Sequence, residues 1–401
     1  MADGMLSDLL VLDCASFVAG PAAATIMSDF GARVIKIEPP GAGDSYRQLI
    51  KLNGVPTSAH DYFWLLDNRN KESLALDLKQ DSARAVLETL IARADVFITN
   101  FPGPIRERLR LRAEDILPLN ERIIYASLTP YGEEGPEKDR TGYDSTAWWA
   151  RSGLMNAVRP SADAEPARSI PAMGDHPTAV ALFGAIMAGL YRRQKTGKGG
   201  AVSTSLLANG LWSMGCYLQA VLCDATFPAR SERYQRSALL EFFRCRDHRW
   251  FMFTIVNHAR EWPLLATCVG KPEWINDPRF ATPEARTENA EELTRALEEI
   301  FLKRDWPEWR QIFTEAGITF GPIAEVADHI SCPQVAANGL LPAFADGGGI
   351  RTVDSPIRLA GEIKTQPRIA PDIGQHSHAI LRELGLSQSE VAKMFESGAA
   401  R

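Results

Sequence analysis

Short apolar runs alternate with amphipathic stretches along the first third of the chain. Runs rich in Val, Ile and Leu are typical of parallel strands buried on both faces, and apolar residues at every third or fourth position predict helices. The runs are Leu9–Asp13, Arg33–Glu38, Asp95–Thr99 and Arg122–Leu128, and the helical stretches are Gly20–Phe30, Ser82–Arg93 and 105–119. This repeated order predicts an α/β fold with right-handed crossovers and an open, mostly parallel sheet.

The carboxyl ends of the predicted strands indicate where a ligand would bind. In open parallel sheets, ligands bind beyond the carboxyl ends of the strands. The segments that follow the predicted strands are Cys14–Pro21, Glu38–Asp44, Asn100–Pro104 and Thr129–Gly132. We expect these segments to form the functional rim of the sheet.

The remainder of the chain changes character near Asp224. The block Tyr143–Cys223 is mainly helical, whereas Trp250–Val256 is typical of a strand and is followed by charged helical stretches at 284–302 and 306–316. Gly317–Pro322 is interpreted as the connection out of a smaller domain, and the chain ends in a short amphipathic helix. These changes predict a small domain at 224–330.

Composition is that of a globular protein and argues against several functions. With 401 residues, 45% of them hydrophobic and 23% charged, the chain can bury a core without disulfides or metal ions. The 44 basic residues are outnumbered by 50 acidic ones, so a general nucleic-acid binder is not expected. The longest apolar run, Ala179–Tyr191, has thirteen residues and is too short to cross a bilayer, so no membrane partner is expected.

The cysteines and the N-terminus indicate the compartment. The six cysteines form no C-x-x-C pair and have no metal-ligand spacing with the seven histidines, so no metal is expected. The first residues carry two acids and no apolar stretch, which is unlike a secretory signal. We therefore expect a cytoplasmic protein with reduced thiols.

Common nucleotide-binding and hydrolase motifs are incomplete. The turn Ala19–Ala24 has one glycine where a dinucleotide fingerprint needs three, and Lys195–Gly200 lacks the spacing of a phosphate loop. The sequence contains no G-x-S-x-G elbow and no H-E-x-x-H motif. These observations argue against nicotinamide, P-loop, serine-hydrolase and zinc-protease chemistry.

The most informative segment surrounds Asp175, which precedes an apolar, small-residue helix with Pro177 in its first turn. One interpretation is a helix N-cap, worth about 1 kcal/mol. The other is a nucleophilic carboxylate on a helix that is apolar all round and therefore buried, with Gly174 leaving room for a substrate. His176 is interpreted as a polar residue at the helix start.

A set of short motifs spans nearly the full chain. They are Val11–Asp13, Ala19–Pro21, Asp29–Glu38, Asn70–Ser73, Ala94–Val96, Asn100–Gly103, Gly142–Asp144, Ser152–Met155, Gly174–Asp175 and Lys195–Gly199. In this order and spacing the set resembles the class III coenzyme A transferases, the family of formyl-CoA transferase and carnitine CoA-transferase. The resemblance implies a Rossmann-like large domain made of 1–223 and 331–401, a smaller inserted α+β domain at 224–330, and an interlocked homodimer.

The same resemblance implies a reaction and a set of site residues. Asp175 would attack the thioester of an acyl-CoA to form an anhydride, the CoA thiolate would convert the anhydride to an aspartyl-CoA thioester, and a free carboxylic acid would take over the CoA. Tyr143 would lie at the acyl group. The expected CoA contacts, with Arg140 close to the position of a family lysine, are Phe17, Val18, Leu76, Lys79, Asn100, Phe101, Ile105, Arg108, Arg140 and Leu206.

Two departures from the formyl-CoA transferase pattern bear on the substrate. Val18 stands where that branch has a glutamine that contacts the reacting groups, and Leu239–Phe243 replaces its glycine-rich loop. Both argue against formate or oxalate and favour a larger or more apolar acyl group.

Two other functions stay open at this point. The alpha-methylacyl-CoA racemases share the family's fold, but their catalytic histidine aligns with Tyr143, and a phenol with an ordinary pKa of about 10 is a poor base near neutrality. A non-catalytic acyl-CoA-binding or nucleotide-binding protein is the third hypothesis, because each motif also has a structural explanation.

Overall fold

The computed structural model describes residues 4–227 and 233–401. The chain divides into two compact units, the first comprising Met1–Val158, Ala167–Cys223 and Ala336–Arg401, and the second Arg159–Pro166 and Asp224–Val335. The short segment Arg159–Pro166 belongs to the second unit, which no sequence pattern indicated.

The first unit is built on a six-stranded sheet whose paired strands are all parallel. Its strands are β1 (Leu10–Asp13), β2 (Arg33–Glu38), β3 (Glu72–Ala75), β4 (Val96–Thr99), β5 (Ile124–Thr129) and β6 (Gly200–Ser205). Their order across the sheet is β3-β2-β1-β4-β5-β6, which is the order of a Rossmann-like fold. The predicted open parallel sheet is therefore confirmed.

Helices cover both faces of this sheet. In this unit and its C-terminal return they are α1 (Ala19–Asp29), α2 (Tyr62–Asn68), α3 (Asp81–Ile91), α4 (Gly103–Arg108), α5 (Ala113–Ile116), α6 (Leu154–Ala157), α7 (Asp175–Thr196), α8 (Leu206–Ser213), α9 (Gly215–Leu222), α15 (Ser377–Glu383) and α16 (Gln388–Glu396). One apolar core packs α1 and α7 against the sheet, and a second packs α3, α15 and α16 against it. Every residue of α1 is buried.

The prediction of one helix over 105–119 is wrong. α4 ends at Arg108, Arg110 takes a positive φ of 55°, and the chain starts again as α5. Because a left-handed residue cannot continue an α-helix, the amphipathic pattern is split between two short helices. Shorter turns of 3₁₀-helix lie at Ser45–Lys51, Leu117–Leu119, Arg233–Gln235, Ala238–Leu240, Pro272–Ile275 and Val326–Ser331, and Asp144–Ala150 is a π-helical segment.

The second unit contains an antiparallel sheet, β7 (Phe242–Arg244), β8 (Trp250–Phe253) and β9 (Phe320–Ile323), in that order. Its helices are α10 (His258–Cys268), α11 (Pro283–Glu288), α12 (Ala290–Phe301) and α13 (Trp306–Ala316), and α14 (Pro333–Ala337) follows where the chain returns to the first unit. The interpretation of Gly317–Pro322 as a connection is wrong, because Phe320–Ile323 pairs with β8. β9 lies at the sheet edge, where its proline is tolerated.

Within residues 4–227 and 233–401, no helix combines the length and the apolar character that crossing a membrane requires.

Candidate active site at the switch point of the sheet

The loops after β1, β2 and β4 meet at the carboxyl edge of the sheet. β1 continues through α1 to β2 on one side and lies beside β4 on the other, so the strand order reverses between β1 and β4. The Ser16 N–H donates to Asn100 Oδ1 (2.8 Å), Asn100 Nδ2 donates to the Ser16 carbonyl (2.6 Å), and the Ser16 hydroxyl donates to Asp44 Oδ1 (2.6 Å). Ligands of such folds bind at this switch point.

A buried charge cluster holds these loops in place. Lys36 Nζ lies 2.8 Å from Asp44 Oδ2, and Lys71 Nζ lies 2.8 Å from Asp13 Oδ2. Burial opposes ionisation of Asp44, but the Lys36 ammonium and the hydrogen bonds that Asp44 accepts outweigh it and hold its pKa below the usual range. Burial also opposes the charge of Lys71 and lowers its pKa to about 8, although the nearby Asp13 carboxylate acts to raise it. These ion pairs fix the ends of β1 and β2 and the loop that follows β2.

Phe17 brings the β1 loop against Tyr143. The two rings meet edge to face, with centroids 5.7 Å apart, and Phe17 adopts a positive φ of 61°. Its N–H donates to Asp44 Oδ1 (3.1 Å), which holds this strained conformation. Val18 is buried directly before α1, and Tyr143 is half exposed. Phe17, Val18, Asn100 and Tyr143 are thus the predicted site residues that this edge of the sheet gathers.

Asp175 is the first residue of α7, and the N-cap is Gly174. The cap interpretation of Asp175 is therefore wrong, because no side chain caps this helix. Burial raises the pKa of the Asp175 carboxyl to about 7, the charges of Asp144 and Asp67 add to the increase, and His176 opposes it. Carboxyl groups perturbed in this way concentrate at functional sites.

Packing against Trp148 explains why residue 174 is a glycine, which the sequence alone did not indicate. A Cβ at this position would lie 2.5 Å from Cγ of Trp148, so only glycine fits against the indole. The Gly174 N–H also donates to Asp144 Oδ2 (3.2 Å). The π-helical segment Asp144–Ala150 therefore supplies both the surface against which Gly174 packs and the acid that acts on Asp175.

The expectation that α7 is buried on all sides is wrong for the single chain. Leu182, Phe183 and Ile186 are buried, but Gly184, Ala188 and Tyr191 are exposed on another face. The small residues on that face leave a shallow surface that the chain itself does not cover.

His176 makes a contact that no sequence pattern indicated. Its Nε2 lies 3.0 Å from Asp67 Oδ1, and the other oxygen of Asp67 accepts a hydrogen bond from the Tyr46 hydroxyl (2.6 Å). The interpretation of His176 as a polar residue of the helix start is therefore incomplete. Its adjacency to Asp175 was the one available signal.

The four apolar residues that remain among the predicted CoA contacts differ in burial. Leu76 and Leu206 are buried in the two cores of the first unit, and Phe101 and Ile105 are partly buried around the start of α4. Contacts between CoA and these four residues stay predictions.

The basic residues predicted to face CoA are all exposed. Lys79 lies in the loop after β3 and Arg108 ends α4, and neither side chain forms an ion pair within residues 4–227 and 233–401. Arg140 instead pairs with Glu137 and lies 5.4 Å from the centre of the Tyr131 ring. In the part of the chain that the structure describes, no group of three or more His, Cys, Asp or Glu side chains could hold a metal ion.

Comparisons with known proteins identify the family. The model of CoA-transferase family III matches residues 6–377. The chain is 27% identical to (R)-2-hydroxy-4-methylpentanoate CoA-transferase of Clostridioides difficile, over 99% of this chain and 100% of that protein, and 32% identical to the succinyl-CoA:glutarate CoA-transferase of Mus musculus, over 98% and 89%.

A solved structure agrees with these matches. The crystal structure of a CAIB/BAIF family protein from Brucella suis superposes with a TM-score of 0.83 at 28% identity, covering 95% of this chain and 100% of that one. The matches in sequence and in fold span nearly the whole chain. The chain belongs to CoA-transferase family III and is a class III CoA-transferase.

Proposed function

We propose that this enzyme moves CoA from an acyl-CoA to a free carboxylic acid through a covalent intermediate on Asp175. The observation that carries the proposal is the partly buried carboxyl of Asp175 at the start of α7. Burial raises the pKa of this carboxyl to about 7. Such a carboxylate is ionised just above neutral pH and is more nucleophilic than a solvated one. The helix dipole favours its negative charge.

Each proposed step exchanges one anion for another. An Asp175 oxygen attacks the thioester carbonyl, the C–S bond breaks, and the CoA thiolate leaves behind a mixed anhydride. The thiolate then attacks the Asp175 carbonyl of the anhydride, which releases the donor acid as its carboxylate and leaves an aspartyl-CoA thioester. The acceptor carboxylate repeats the two steps in reverse order. No proton has to move, so the site needs a nucleophile and the exclusion of water rather than an acid–base pair.

Exposed cations and an aromatic rim support binding of the CoA ester. Lys79 and Arg108 are exposed and form no ion pair in the part of the chain that the structure describes, so their charges are available to the phosphates, and Arg140 belongs to the same proposed surface. The Phe17–Tyr143 pair presents apolar surface near the expected acyl group, and the buried Val18 packs in the same apolar cluster as Phe17. We therefore propose an acyl group larger or more apolar than formate or oxalate, such as the branched acid named for the relative from Clostridioides difficile.

A second copy of the chain is proposed as the partner. Trp212 is 86% exposed and Leu222 is 70% exposed on α8–α9, and Leu211 and Val221 of the same helices are also exposed. An apolar surface of this kind is typical of an interface. We propose a homodimer, interlocked as the family resemblance implies.

The decisive experiment is intact-protein and peptide mass spectrometry after incubation with acyl-CoA esters of several chain lengths, without acceptor acid. We expect the peptide that contains Asp175 to gain the mass of CoA less one water, as an aspartyl-CoA thioester requires, and we expect no such gain in Asp175→Asn. A 2-methylacyl-CoA in deuterated buffer tests the racemase hypothesis in parallel. No adduct together with α-deuterium incorporation would favour the racemase, and no adduct, no incorporation but tight acyl-CoA binding would favour a binding protein.

A further inference from the structure

We propose that His176, held by Asp67, is a positioning residue that keeps Asp175 ionised and correctly placed for attack on the thioester. This inference rests on the proposed covalent role of Asp175 and assigns a role to the residue that follows it. The geometry that carries it is a chain of three side chains from three elements, Tyr46, Asp67 and His176.

Asp67 is fixed from several directions. One carboxylate oxygen accepts from Tyr46 and the other faces His176, while its backbone carbonyl accepts from the Thr25 hydroxyl (2.5 Å) and from Lys71 Nζ (2.8 Å). Its side chain is 3% exposed. Side chains from α1, from the turn before α2 and from the segment after α2 therefore fix the position of Asp67. A fixed Asp67 in turn restrains the His176 ring, which contacts it through Nε2.

The contact also determines the protonation of the ring. An ionised carboxylate only accepts hydrogen bonds, so His176 Nε2 must carry the hydrogen that lies toward Asp67. A proton on Nδ1 then makes the ring a cation. Burial opposes that charge, but the hydrogen bond to Asp67 and the charges of Asp67, Asp175 and Asp144 outweigh it and raise the pKa of His176.

The surroundings of Asp175 explain why a cation is needed there. The charged groups that act on its carboxyl from the neighbouring elements are Asp144 on the π-helical segment and Asp67 on α2, and the Tyr46 phenol faces the same group of acids. Arg69 lines the same cavity as His176, but its Nε and Nη2 donate to the Asp29 carboxylate (2.9 and 2.7 Å) and its Nη1 donates to the Leu66 carbonyl (2.6 Å). Protonated His176 therefore offsets two acids that would otherwise keep Asp175 protonated and unreactive.

The ring can exchange its proton with solvent. His176, Asp67 and Arg69 line a cavity of about 470 Å³ between α1, α2, α7 and the segment 353–356, and the His176 side chain is 43% exposed. The charge on His176 can therefore follow the pH of the solution.

The test is the pH profile of CoA-adduct formation on Asp175 between pH 5.5 and 9.5 in His176→Asn and His176→Gln. Both amides can still donate to Asp67 but carry no charge. We expect the acid limb to move upward by about one pH unit, so that the rate falls about tenfold near pH 6 and stays within about twofold of wild type at pH 9. His378→Asn is the matched control, because His378 is also the second residue of a helix, α15, and is exposed.

Two outcomes would overturn the proposal. An unchanged acid limb with an unchanged rate would mean that His176 does not act on Asp175, and an equal loss at every pH would assign it a purely structural role. Thermal melting of both variants at pH 9 separates misfolding from these results. If wild-type enzyme forms no adduct, the proposed function itself fails, whereas a wild-type adduct with unaltered variants removes the His176 proposal alone.

Discussion

At the scale of single residues, the position of Asp175 in the fold sets the pKa of its carboxyl group. Asp175 follows the N-cap, and its pKa is raised by burial and by the neighbouring acids Asp144 and Asp67. A capping aspartate would have the opposite property, because a hydrogen bond from a backbone N–H stabilises its charge. Because the pKa of Asp175 differs between the folded and the unfolded chain, the free energy of unfolding depends on pH.

The sign of that dependence follows from linkage. The pKa of Asp175 is about 7 in the folded chain and 3.8 in its unperturbed state, so the folded chain binds more protons between these values. The contribution of Asp175 to the free energy of unfolding therefore falls as pH rises from about 4 to about 7. We expect Asp175→Asn to be more stable than wild type by about 1–2 kcal/mol at pH 8 and equal to it below pH 4.

Urea unfolding followed by circular dichroism at pH 4 and pH 8 measures this difference. Asp8→Asn serves as the control, since Asp8 is exposed and should show the wild-type dependence. A variant less stable than wild type at pH 8 would show that the Asp175 charge stabilises the fold.

At the scale of elements, the site is made by the loops that follow parallel strands. The Ser16–Asn100 and Ser16–Asp44 hydrogen bonds join loops that start from three neighbouring strands. Of the exposed cations, Lys79 follows β3 at the same edge, and Arg108 ends the short helix that starts from this edge after β4. This arrangement predicts that both act on a ligand common to all donors.

We expect Lys79→Ala and Arg108→Ala each to raise the KM for acyl-CoA by roughly three- to tenfold at low salt, and by less at high salt, because exposed charges are screened. The preference among acceptor acids should not change. Lys198→Ala is the matched control, because Lys198 is exposed before β6 at the amino edge of the sheet. Steady-state kinetics at two salt concentrations decide the point, and unchanged KM values in both variants would contradict it.

At the scale of the whole molecule, the single chain leaves apolar surface uncovered. α8 and α9 expose Trp212 and Leu222, and α7 exposes the small residues Gly184 and Ala188. Large exposed apolar side chains next to small residues are suited to close packing between chains. The proposed second copy would cover these surfaces.

Sedimentation equilibrium tests this proposal. We expect wild type at twice the chain mass of 44.2 kDa at every concentration, because interlocked chains do not separate, and Trp212→Glu at the mass of one chain, because its chains would fail to associate as they fold. Because Trp212 is 86% exposed, its replacement should not disturb the core of the chain. Leu119→Glu, at an exposed apolar position before β5, should remain dimeric. A wild-type monomer would exclude the homodimer.

The sequence by itself determined the strands that lie in the middle of the sheet. β1, β2, β4 and β5 are rich in apolar residues because both of their faces are covered by helices, and Lys36 is the charged residue that interrupts the run in β2. β6 was missed because it is an edge strand of small and polar residues whose exposure alternates, and β3, the other edge strand, was missed because it begins with Glu72 and Ser73 and has no apolar run. The motif order was sufficient to find the family, and with it Asp175.

Only the tertiary structure decided how Asp175 is controlled. His176 and Asp67 lie 109 positions apart in the chain, and Phe17 and Tyr143 are similarly distant, yet each pair is in contact. Local sequence patterns reflect helix and strand periodicity, which arises from neighbours a few residues away. Contacts between distant residues leave no such period. For the same reason the tight fit of Gly174 against Trp148, and the exposed face of α7, follow from how the elements pack and not from the residues alone.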